Sequence, residues 1–132
     1  MNIIDKIALI EIQNGQILST RSKGKSKYYF PGGKRDPGET DSQTLIREID
    51  EEMDVQIDES TIDYVGTFEA QADGKKEGVI VKMTCYRAKY EGELTPKNEI
   101  EEIRWLNYKD IDIVSEVDKK IFKFLRERGE LE

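Results

Sequence analysis

The sequence predicts an α/β (α+β) fold in which a central mixed sheet is flanked by helices, and three observations predict it. Two β-branched, apolar runs, Lys6 to Gln13 and Ile17 to Arg21, are separated by Asn14-Gly15, a pair that supplies the positive φ angles of a tight hairpin. Thr40 to about Met53 and Ser115 to Arg128 each place apolar residues at helical period. Between and around these helices lie further runs rich in Val, Ile, Tyr and Phe.

The elements follow in order. After the opening hairpin comes a basic stretch, then Tyr28-Tyr29-Phe30 as a short strand stopped by Pro31-Gly32-Gly33, where the backbone must bend sharply or be approached closely. Pro37-Gly38 makes a turn, and Thr40, Asp41 and Ser42 offer N-cap oxygens to the first helix, whose Leu45, Ile46, Ile49 and Met53 form one stripe. Ile62 to Gln71 and Val79 to Tyr90 read as strands joined across Ala72 to Lys76, and Ile103 to Leu106 as another. The second helix carries Val117, Ile121, Phe122, Phe124 and Leu125 and stops at Gly129. Leu131-Glu132 reads as a cloning remnant, and residues 1–132 as one domain, with no repeat or linker.

Composition narrows the chemistry. The 132 residues carry 21 Lys and Arg against 28 Asp and Glu, a formal charge of −7, which disfavours a nucleic-acid polymer as partner. A single Cys, Cys85, and no His exclude a zinc centre or a thiol redox pair, so any bound metal must sit on oxygen. No apolar run approaches the ~20 residues that cross a bilayer. No signal peptide is evident, and together with one free thiol this points to the cytoplasm. Arg21 to Arg35 holds Arg21, Lys23, Lys25, Lys27, Lys34 and Arg35 without an acid, enough local charge for a small phosphorylated ligand. Tyr28, Tyr29 and Trp105 read as packing residues, and Cys85, without a His partner, is not a catalytic thiol.

Glu48, Glu51 and Glu52 stand at i, i+3 and i+4, which puts three carboxylates on one helical turn. Like charges so close cost stability, and Arg47 cannot neutralise them together with Asp50. Mg²⁺ prefers such a set of carboxylates, completed by water and phosphate oxygens.

The spacing Gly33, five residues, Glu39, seven residues, Arg47-Glu48-Ile49, one residue, Glu51-Glu52, one residue, Asp54-Val55 resembles the Nudix box of MutT-like pyrophosphohydrolases, here residues 33–55. Asp54 stands where the pattern has glycine. The resemblance implies an α/β/α sandwich and a Mg²⁺-dependent pyrophosphohydrolase acting on a nucleoside triphosphate or another small nucleotide derivative. It implies that Glu48, Glu51, Glu52 and the Gly32 carbonyl hold Mg²⁺ or Mn²⁺, and that Arg47 orients a box glutamate. It also implies that Glu99 supplies a further acid from a later loop, and that Gly33, Glu39, Lys34 and Arg21 shape the loop or meet the substrate. Asp54 leaves open the alternative of a nucleotide-sensing module that keeps the fold without turnover.

Overall fold

The computed structural model describes residues 2–132. β1 (Asn2–Leu9) lies parallel to β7 (Val79–Arg87), and β4 (Gly32–Lys34) and β6 (Asp63–Gln71) add antiparallel edges. The result is a mixed four-stranded sheet, β4-β1-β7-β6. A second, antiparallel sheet is β2 (Ile12–Gln13), β3 (Gln16–Ser22) and β9 (Ile100–Leu106), and β5 (Gln56–Ile57) pairs with β8 (Tyr90–Glu91).

The opening hairpin is shorter than its apolar run suggests. Asn14 (φ 53°) and Gly15 (φ 76°) do make the turn, but only β2 pairs with β3, and Lys6 to Leu9 belong to the other sheet. The chain changes sheets at Ile10-Glu11, because Ile7 to Ile10 are buried on both faces, as a central strand requires. Tyr28 and Tyr29 make only isolated bridges, to Val114 and Thr20. The strand forms one step later on Gly32-Gly33-Lys34, since Pro31 has no N–H to give a ladder.

α1 (Asp41–Met53) begins in a capping box: Gln43 N donates to Thr40 Oγ1 at 3.2 Å and Thr40 N to Gln43 Oε1 at 2.9 Å. Its Leu45, Ile49 and Met53 pack with Ile7, Leu9 and Leu18 on one side of the sheets, and half-buried Trp105 rests against that cluster. α2 (Glu116–Glu127) covers the other side with Val117, Ile121, Phe122 and Leu125 against Ala8, Ile10, Ile17 and Phe30. Alternation along β1 thus sends Ile7 and Leu9 to one helix and Ala8 and Ile10 to the other. The last two residues are part of this packing: Leu131 is buried, and Glu132 N donates to Gly15 O at 2.9 Å. Among the described residues no helix is long and apolar enough to cross a membrane.

α2 also buries a carboxyl. Asp118 Oδ2 accepts from Phe30 N at 2.9 Å, while Oδ1 has no protein partner. Burial pushes its pKa from 3.8 up to about 7; the Phe30 and Ser115 hydrogen bonds and the Lys6 charge pull it down, and the Asp73 charge adds to the rise. The folded state therefore keeps a proton that the unfolded chain releases, so this group makes stability fall as pH rises from about 4 to about 7. Asp118→Asn is expected to flatten that slope relative to the wild type, as urea titrations at pH 4, 5.5 and 7 would show. An unchanged slope would mean that the Asp118 carboxyl ionises normally in the fold.

Candidate functional site

The site is built where α1 crosses β4. Pairing of Ala8 with Gly32 and of Ile7 with Gly33 lays the glycine pair flat against β1, and α1 passes above it. Gly32 has φ +144°, and a Cβ there would sit 2.0 Å from Ile7 O, so only glycine can lie this close to β1. At Gly33 a Cβ would meet Glu48 Oε2 at 2.2 Å: the missing side chain is the space that the Glu48 carboxylate fills. Gly32 N donates to Glu52 Oε1 at 2.9 Å. The two glycines therefore each hold one glutamate of the helix.

Arg47 ties the second half together. Its guanidinium grips Glu39 in a fork, Nε to Oε2 at 2.7 Å and Nη2 to Oε1 at 2.8 Å, and gives Nη1 to Glu48 Oε1 at 2.6 Å and Nη2 to Lys34 O at 3.0 Å. Glu39 also accepts from Asp36 N at 2.8 Å and Thr44 Oγ1 at 2.9 Å. The Arg47 bond first, and then the Asp36 amide, hold its pKa down at about 2. Glu39 is thereby committed to the loop, and Arg47 stays protonated because Glu39 and Glu48 surround it.

The carboxylates differ. Glu52 is 7% exposed, and its pKa is pushed up to about 8, mainly by burial, against the Gly32 hydrogen bond, with the Glu48 and Glu99 charges adding to the rise. Glu48 is half-buried and also raised by burial, with the Arg47 bond opposing and the Glu51 and Glu99 charges adding. Glu51 does not turn inward with them; it is exposed and lies 3.5 Å from Arg47 Nη1. Among the described residues no three His, Cys, Asp or Glu side chains converge into a ready-made metal cage. What is present is a pair of crowded, partly desolvated carboxylates with oxygen donors only, one of them in a cradle that a Cβ would fill. That donor set fits a hard divalent cation that keeps much of its water. Cys85 is buried, with its thiol pushed well above the ordinary range by that burial, and is inert.

Beside the glycines opens a cavity of about 300 Å³, lined by Gly32 and Gly33, by the polar side chains of Lys6, Tyr29, Lys34, Glu52 and Asp73, and by the apolar ones of Ile4, Phe30, Val81, Met83 and Val117. Of the residues expected to shape the loop or meet the substrate, Gly33 and Lys34 line this cavity and Arg21 is turned elsewhere. Arg21 bonds Lys25 O at 3.1 Å and pairs with Glu102 at 3.4 Å, bracing the basic turn. Arg35 is turned away as well, onto Asp41 and Asp5. Tyr28 is buried and donates to Glu102, as packing requires, but Tyr29 is half-buried on the cavity wall, with Lys6 Nζ 5.5 Å from its ring centroid. Lys6 escapes sequence reasoning because a Lys at the start of an apolar strand reads as an edge charge; its one signal is that it directly precedes the buried run Ile7 to Ile10.

Asp54 ends α1 with φ 59° and ψ 37°, the left-handed conformation that glycine usually supplies, and its Oδ1 lies 3.2 Å from Lys97 Nζ. The departure from the box pattern leaves the backbone route intact. Asp54→Gly is expected to raise stability by about 0.5 kcal/mol, since relief of roughly 1 kcal/mol of left-handed strain outweighs one exposed ion pair. Chemical denaturation measures that gain, and turnover should stay within about twofold because no inward-facing carboxylate moves. A large rise in turnover would show that Asp54 sets the loop awry.

Comparison with known proteins agrees with this architecture. The family model described as NUDIX domain matches residues 5–127. An RNA pyrophosphohydrolase of Tolumonas auensis is 42% identical over 50 residues, covering 38% of this chain and 29% of that protein. A CTP pyrophosphohydrolase of Escherichia coli is 31% identical over 80 residues, 57% of each. The matched segments thus span less than two thirds of these relatives' own lengths. Among solved structures, the MutT protein of Methanosarcina mazei Go1 superposes with a TM-score of 0.75 at 17% identity, covering 98% of this chain and 96% of that one. The E. coli ORF135 protein gives a TM-score of 0.73 at 23% identity, covering 96% and 92%. These structural likenesses establish the fold, and the family match, which runs through both sheets and both helices, establishes that the chain belongs to the Nudix family.

Proposed function

We propose that this protein is a Mg²⁺- or Mn²⁺-dependent pyrophosphohydrolase that cleaves a phosphoanhydride in a nucleoside diphosphate linked to another group. The substrate is a nucleoside triphosphate or another small nucleotide derivative, and a nucleoside monophosphate or its equivalent is released. The observation that carries this reading is the seating of Glu48 and Glu52 against the glycine pair, which lines a cavity together with Lys6, Lys34 and several apolar side chains. The names of the two pyrophosphohydrolase relatives support the reaction class.

Glu48 and Glu52 would be the principal cation ligands, with Glu51, Glu99 and the Gly32 carbonyl as the further oxygen donors that the family resemblance implies. When bound, the ion supplies neutralisation of phosphate charge and a lowered pKa for a coordinated water. Arg47 contributes by holding the Glu48 carboxylate in its cradle, so that side-chain freedom is not lost on binding. Lys34 and Lys6 bring positive charge to the cavity lining for the substrate's phosphates, and Tyr29 with the apolar lining offers a wall on which a base can lie. A carboxylate of this set takes the proton of the attacking water.

The test is product analysis after incubation with Mg²⁺ and a panel of canonical and oxidised nucleoside triphosphates, nucleoside diphosphate derivatives and a 5′-triphosphorylated RNA. Cation-dependent release of a monophosphate from the small nucleotides supports the reading. Cleavage confined to the RNA would move the substrate to a polymer end. Binding of nucleotide with no product would favour the sensing module.

A further inference from the structure

A helix leaves its last carbonyls without partners, and the way α1 finds them reaches across the fold. Asp54 N donates to Asp50 O at 3.0 Å, the helix's own closing bond. The next three carbonyls are taken by one segment far downstream. Asn98 Nδ2 donates to Glu51 O at 2.7 Å across 47 residues of chain, Lys97 N to Glu52 O at 3.0 Å, and Thr95 N to Met53 O at 2.9 Å. Asn98 itself is left-handed, with φ 54°, and Ile100 N donates to Lys97 O at 3.0 Å, closing a tight turn whose two central residues are Asn98 and Glu99. On the far side Lys23 N donates to Glu99 O at 2.8 Å, joining this turn to the basic one.

We propose that Asn98 is a positioning residue for Glu99, fixing that carboxylate against the Glu48 and Glu52 face by docking its turn onto the C-terminus of α1. The inference rests on the reading of these glutamates as the cation-holding set. Two requirements meet in Asn98. Its backbone must be left-handed, which Gly, Asn and Asp tolerate best, and its side chain must offer an N–H to a carbonyl, which Gly and Asp lack. The carbonyl it takes belongs to Glu51, inside the turn that carries the glutamates, so the turn and the helix face are held as one rigid piece. Glu99 sits next in sequence, exposed, with its charge felt at both Glu48 and Glu52. The side-chain bond and the left-handed residue beside Glu99 are what orient the acid.

The test is Mn²⁺ binding by isothermal titration calorimetry, without nucleotide, to the full chain and its variants. Asn98→Ala is expected to weaken Mn²⁺ binding about tenfold, as removal of a ligand-orienting partner does, and Asn98→Gly, which keeps the backbone conformation, by somewhat less. Because Asn98 acts through Glu99, adding Asn98→Ala to Glu99→Gln should weaken binding by no more than about twofold beyond Glu99→Gln alone. Asn98→Gly carries the same comparison if Asn98→Ala does not yield folded protein. Equal losses from the Asn98 substitution with and without Glu99→Gln, or a lowered Tm with Mn²⁺ binding unchanged, would overturn the proposal. A wild type that binds no Mn²⁺ would overturn the cation-site reading and this inference together. Binding abolished by Glu48→Gln but untouched by either Asn98 variant would overturn this inference alone.

Discussion

Glu48→Gln and Glu52→Gln are each expected to lower turnover about a thousandfold while leaving the fold in place. The magnitude follows from the loss of a charged ligand: a few kcal/mol of electrostatic stabilisation at a phosphoanhydride corresponds to about three powers of ten in rate. The fold survives because glutamine preserves what packing needs. At position 52 the amide oxygen can still accept from Gly32 N, and at position 48 it can still accept from Arg47. Glu48→Gln also removes a charge that acts unfavourably on the Glu52 carboxylate, and Glu52→Gln removes a carboxyl whose ionisation burial and the Glu48 and Glu99 charges oppose. The cation-free variants should therefore melt at or above the wild-type temperature, while the rise in Tm that Mg²⁺ gives the wild type should shrink. Steady-state rates beside thermal melts with and without Mg²⁺ check both halves. Near-normal hydrolysis by both variants would remove these residues from the chemistry.

The second large effect separates two adjacent glycines. Gly32→Ala is expected to cost about 3 kcal/mol or more, because the new methyl meets the Ile7 carbonyl and Ala8 Cα of a buried central strand, and an alanine is strained at φ +144°. Little folded protein should accumulate. At Gly33→Ala the nearest atoms are those of the Glu48 carboxylate, the free end of a side chain that can swing away. This variant should fold with a loss of about 1 kcal/mol, yet lose about a hundredfold in turnover as Glu48 leaves its cradle between Gly33 and Arg47. Expression yield and thermal melts report the first outcome, and turnover with Mn²⁺ affinity the second. A Gly33→Ala enzyme with wild-type rates would show that the cradle does not place Glu48.

Arg47→Lys belongs to the same geometry. A lysine cannot grip Glu39 in a fork while also reaching Glu48 and the Lys34 carbonyl, so the loop and the glutamate are released together. The bidentate pair explains why Glu39, placed by the family resemblance among the residues that shape the loop or meet substrate, is held inside the loop. Arg21 follows a similar course, drawn to Glu102 and the Lys25 carbonyl instead of the cavity. In both cases the residue type suits a ligand, and a nearer partner within the fold takes it.

What the sequence by itself determined is local. The positive-φ pair Asn14-Gly15, the Thr40 cap, the apolar stripes of both helices and the three glutamates on one turn all depend on residues within a few positions of one another, where sterics and helical period act directly. The absence of His and the single Cys restricted any metal to oxygen ligands by composition alone. Tertiary structure alone decided the rest: that the first apolar run divides between two sheets, that Gly32 to Lys34 becomes an edge strand, that Glu52 is buried while Glu51 is not, that Leu131 enters the core, and that Thr95 to Asn98 cap a helix ending at Met53. The physical reason is that an unpaired carbonyl or an apolar face specifies only that it must be satisfied. Which distant segment does so is settled by the burial and hydrogen bonding of the whole chain at once.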